Sequence, residues 1–147
     1  MTTPSPLAAA GSRTIPYDYS FQIDLDGKPG RSHQRTLSIS VEAAFTTVSI
    51  GYGFVAKRPS ERSIRFLYAL SDEGTGRAFQ NEPVLSTAGL GDPDGERPFR
   101  RFAAPIVFEP LSTIRLDIIE ASNATILDEG SLHITLHGYK TLTGRRR

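Results

Sequence analysis

From Tyr17 the chain alternates: Tyr17, Tyr19, Phe21, Ile23 and Leu25 are apolar, and Asp18, Ser20, Gln22 and Asp24 between them are polar. A period of two puts every apolar side chain on one face, the pattern of a half-buried strand. Asp26-Gly27 then reads as a turn, because glycine takes positive φ without a Cβ clash. The alternation returns at Leu37, Ile39 and Val41, and again at Val48, Ile50, Tyr52 and Phe54. Gly51 and Gly53 occupy the other face of that segment, which predicts a bend or the close approach of another backbone. Residues 41–47 are too short and too β-branched for a helix and read as strand continuation.

A loop over 58–62 leads to the strand pattern Ile64, Phe66, Tyr68, Leu70. Residues 71–98 are dominated by Gly, Asp, Glu, Pro and Arg, broken only by Phe79 and Val84-Leu85, and read as one long functional or mobile loop. A strand over 99–108, interrupted by Pro105, is closed by Pro110. Ile114, Leu116 and Ile118 form the next. After a polar turn over 123–130, Leu132, Ile134 and Leu136 form the last, and these final two strands are expected to pair as an antiparallel hairpin.

Seven or eight short strands with no amphipathic helix predict an all-β fold, a single β-sandwich or jelly-roll-like domain over residues 17–144. Its core is expected to include Phe21, Ile23, Ile39, Ile50, Tyr52, Phe66, Tyr68, Leu116, Ile118, Ile134 and Leu136. Residues 1–16, rich in Thr, Pro, Ser and Ala, read as an extended arm, and residues 145–147 as a basic tip.

Composition narrows the chemistry. At 147 residues, one domain is the natural reading. A net charge of +1 offers no global polycation, which argues against nucleic acid as a partner. The absence of cysteine removes disulfides, thiolate metal sites and thiol nucleophiles. No apolar run reaches the roughly 20 residues of a membrane helix. Residues 1–10 lack the basic start of a signal peptide, so synthesis in the cytoplasm without general secretory export is expected.

The candidate sites each have a plainer reading. His133 and His137 lie four residues apart on one strand, roughly 13 Å along it, too far for one metal ion with bonds near 2 Å. His33 is expected in a loop. Ser49-Ile50-Gly51 and Ser131 build no nucleophile elbow. Asp117 with Glu120, and Asp128 with Glu129, read as solvated carboxylates at strand ends or turns. The run from Gly89 to Glu96 lacks the ligand spacing of a calcium loop. No catalytic residue, metal ligand or cofactor is therefore expected. Partner contacts are assigned instead to Leu7 and Ile15 of the arm and to the basic residues Arg97, Arg100, Arg101, Arg145, Arg146 and Arg147.

The stretch from Phe108 to Glu120 and the close Leu132-His133-Ile134-Thr135-Leu136-His137-Gly138-Tyr139-Lys140 resemble the C-terminal part of tailed-bacteriophage virion structural proteins. Ser49-Ile50-Gly51-Tyr52-Gly53-Phe54 is similar in character, and together these segments span about a third of the chain. The resemblance implies a non-enzymatic β-sandwich, located in the virion, that decorates or cements a capsid. A place at the portal–tail junction, or a ligand-binding sandwich module, is the alternative. The implied partners are further copies of the chain and the major capsid, portal or tail proteins, with the arm lying along a neighbour.

Overall fold

Alternation dictates that each strand turns one face inward, and two sheets stacked face to face satisfy all of them. The computed structural model describes residues 13–57, 64–91, 99–121 and 129–142. Within these, nine strands run in chain order: β1 (Arg13–Asp26), β2 (Ser32–Ser38), β3 (Ala43–Ala56), β4 (Phe66–Asp72), β5 (Arg77–Ala78), β6 (Val84–Leu85), β7 (Phe99–Phe108), β8 (Thr113–Glu120) and β9 (Glu129–Leu142). A single helical turn, α1 (Ser86–Gly89), follows β6.

One sheet has the order β1-β9-β3-β7. The other is β2-β8-β4, with β5 and β6 one after the other along the outer edge of β4. Every pairing is antiparallel, and the pairs are nested: β1 with β9, β2 with β8, β3 with β7, β4 with β5 and β6. Such nesting is what one long hairpin produces when it is rolled up. Rolling also brings β9 against β3 and β8 against β4.

All eleven expected core residues are buried, joined by Leu25, Phe45, Leu70, Phe108, Ile114 and Leu132. Edge-to-face ring pairs, Tyr19 on Phe45 and Tyr52 on Phe66, fill the space between the sheets.

Several expectations are corrected. β8 and β9 do not form a hairpin; they lie in different sheets, because periodicity reports a strand's faces and not its neighbours. Residues 71–98 are not one loop: β4 runs to Asp72, and β5, β6 and α1 follow before residue 92. β1 begins at Arg13, so residues 13–16 belong to a strand and not to the arm. Val41 sits in an exposed turn between β2 and β3. The irregularity of β3 is a register shift between Thr47 and Ser49, not at Gly51 or Gly53, which pair with β9 in regular register, and a Cβ at Gly53 would meet nothing within 4 Å.

Gly138 has a specific steric cause. A Cβ there would collide with the carbonyl of Thr46, which crosses close over β9 at this irregularity. The loop assigned to 58–62, most of the turn over 123–130, Leu7, Arg97 and the triple arginine lie outside the described residues.

Candidate assembly surfaces and a buried carboxylate cluster

The densest polar constellation lies where β1 turns into β2. Glu120, the last residue of β8, is buried, and its carboxylate accepts the Gly27 N–H at 2.8 Å and the Asp26 N–H at 3.3 Å. His33 Nε2 lies 2.7 Å from the same carboxylate. The Glu120 backbone holds this turn as well, its carbonyl accepting from Gly30 and its N–H donating to Arg31. Gly27 reaches its place at φ 70°, a conformation that glycine adopts without strain. His33 is thus on strand β2 and half-buried, not in a loop, and Glu120 is not a solvated carboxylate.

Asp26, His33 and Glu120 bring one ligand atom each within 4.8 Å of one another. Those atoms are already engaged: Asp26 pairs with Arg31 Nε at 2.7 Å, and Glu120 accepts the two amides and His33. A divalent ion would compete with Arg31 for Asp26 and with His33 and the two amides for Glu120. The arrangement works as a latch between the sheets. A buried carboxylate costs several kcal/mol to desolvate unless its lone pairs are satisfied, and here they are.

Arg100 and Arg101 sit on the edge strand β7 and behave differently. The Arg100 guanidinium donates to the Gly89 carbonyl at 3.1 Å, tying β7 to α1, and acts on the Tyr68 hydroxyl of β4 in the other sheet. Burial raises the pKa of the Tyr68 hydroxyl, and Arg100 pulls it the other way. Arg101 is exposed beside Phe99, on the rim of a recess of about 550 Å³ that also includes Thr87 and Gly91.

The two edges of this sheet contrast. Against β3, β7 loses register between Arg101 and Ile106, so residues 102–105, with Pro105, stand off from their neighbour. Bulges, prolines and charges of this kind block further strand addition. β1 pairs with β9 without interruption over fourteen residues, and its other side carries no strand among the described residues. The Asp26 N–H points away from β9 to Glu120, so the main-chain groups of alternate β1 residues face that free side.

At the opposite end of β1, Lys140 points inward and is buried. Its Nζ lies 3.8 Å from the centre of the Tyr17 ring and 3.3 Å from Glu42. Burial opposes its charge, yet the Glu42 bond and the two tyrosines outweigh burial and hold its pKa above the ordinary value. Ile15 is opposite Lys140 in register and only partly covered. His137 reaches Asp18 across the outer face at 3.2 Å, and His133 is opposite Gln22, so the two serve different rows of the sheet. Sequence reasoning missed Glu120 and Lys140 because each is paired with residues about ninety positions or more away.

No protein family profile matches the chain, and no curated protein does. Among solved structures, the VP2 subviral particle of infectious bursal disease virus aligns over 90% of this chain and 38% of its own, at 17% identity and a TM-score of 0.34. Dimeric latent PorU of Porphyromonas gingivalis aligns over 87% of this chain and 13% of its own, at 14% identity and a TM-score of 0.29. This chain therefore spans well under half the length of either.

Proposed function

We propose that the chain is a non-enzymatic structural protein of a virion, a jelly-roll sandwich that decorates or cements a capsid through contacts with neighbouring subunits. The observation that carries this reading is the nested pairing, β1 with β9 inward to β4 with β5 and β6, which is the rolled-hairpin order of an eight-stranded jelly roll once β5 and β6 are taken as one interrupted strand. That architecture serves capsid proteins, lectins and cupins. The last two work through ligand or metal sites, and here the best-formed polar cluster is spent on holding a turn.

The C-terminal resemblance to tailed-phage virion proteins points the same way, and an assembly role accounts for a β1 edge that pairs with no other described strand. Gold-labelled antibody against the chain, applied to purified particles from its source and viewed by electron microscopy, tests it. Label on the particle surface is expected. Label confined to the soluble fraction would overturn the proposal.

A further inference from the structure

Four exposed apolar side chains gather at one end of the sandwich: Ile15 (37% exposed), Tyr17 (41%), Val41 (71%) and Leu111 (69%). Their grouping follows from bonds between the elements that carry them. The Leu111 N–H donates to the Ile39 carbonyl, and the Ser40 N–H donates to the Tyr19 hydroxyl. Tyr19 in turn packs edge-on to Tyr17, with ring centres 4.9 Å apart.

Leu111 adds an independent observation. Its φ is 66°, and it is the one non-glycine residue with positive φ among the described residues. For a leucine this is a strained conformation that glycine or asparagine would adopt more readily. The turn is pinned in it by the Ser112 N–H and hydroxyl, both donating to the Glu109 carbonyl, and by the Ile39 N–H donating to Ser112. Within its own fold the leucine side chain returns little for that strain, since most of it faces solvent.

We propose that this end is a two-fold contact with a second copy of the chain, a proposal that rests on the assembly reading and gives it a location. A two-fold contact uses one patch twice, so the patch must complement itself. The apolar centre meets its own image. The rim carries both signs: exposed Arg13 stands opposite Leu142, and Glu42, which already holds Lys140 through one oxygen, keeps a largely exposed carboxylate that can also face the partner's arginine. An apolar centre with a polar rim is the usual anatomy of such an interface.

Sedimentation equilibrium of the full chain decides it, with Leu111→Gly and Val41→Asp as the test variants. Val55→Asp, exposed at the far end of β3, is the control. Wild type should dimerise reversibly. L111G should associate at least tenfold more weakly while its melting temperature stays level or rises, V41D should also weaken association, and V55D should match wild type. A wild type that stays monomeric, whether its patch is covered by its own residues 1–12 or by another protein, overturns the proposal. So does an L111G chain that dimerises like wild type. Antibody labelling of particles is independent of either result, so the location can fail while the assembly role stands.

Discussion

Glu120 and Lys140 show how single residues hold this sandwich closed where its apolar core runs out. Replacing Glu120 by Ala would leave the buried Gly27 N–H, and the part-buried Asp26 N–H and His33, without their acceptor, and should cost about 1–3 kcal/mol in urea unfolding. Glu120→Gln, which keeps one acceptor oxygen, should cost clearly less. Equal losses would mean that both carboxylate oxygens, and not one acceptor alone, are needed to hold the turn. Since Asp26 is committed to Arg31, EDTA should leave the melting temperature unchanged; a reproducible fall would place a divalent ion in this cluster.

Lys140 makes an alkaline prediction. Its pKa in the folded chain lies above the ordinary 10.5, so its stabilisation is fully present below that pH and is lost as pH rises through the folded value. Wild type should therefore lose stability above pH 10.5 more steeply than Lys140→Met, and parallel curves would refute the role assigned to the charge. Neither residue could be recognised from sequence. Glu120 stands near two other charged positions and looks solvated, and the partners that bury it come from β1 and β2, far away along the chain.

At the scale of elements, periodicity carried real information and then stopped. The alternation of Phe21 with Ile23, and of Ile134 with Leu136, identified both strands and their inner faces, because burial of one face needs only local spacing. It could not say that these two strands are partners, Phe21 opposite Ile134, across more than a hundred residues. The short β5 and β6 were missed for a different reason: two residues are too few to show any period.

The start of β1 is a testable element. Its pairing with β9 begins at Arg13, opposite Leu142, so deleting residues 1–12 removes no described strand pair. The truncated chain should melt with the full one, while incorporation into particles weakens if the arm lies on a neighbour. A large fall in melting temperature would make the arm part of its own core. Core truncation gives the scale for comparison, since Phe66→Ala or Leu116→Ala, both fully buried, should cost roughly 2–5 kcal/mol.

Over the whole molecule, the rolled hairpin leaves a definite set of surfaces. The β7 edge is blunted by Pro105 and its loss of register, the β1 edge is long and unbroken, and one end carries the strained Leu111 among exposed apolar side chains. Charge is nearly balanced, so association depends on shape and apolar contact more than on a long-range field. The proposed assembly role requires these surfaces to meet other chains. The most direct measurement is sedimentation velocity of the unmodified chain from micromolar to millimolar concentration. The account predicts a boundary that moves, with rising concentration, from one copy to a discrete assembly. A single boundary at the 16.1 kDa of one chain across the whole range would contradict it.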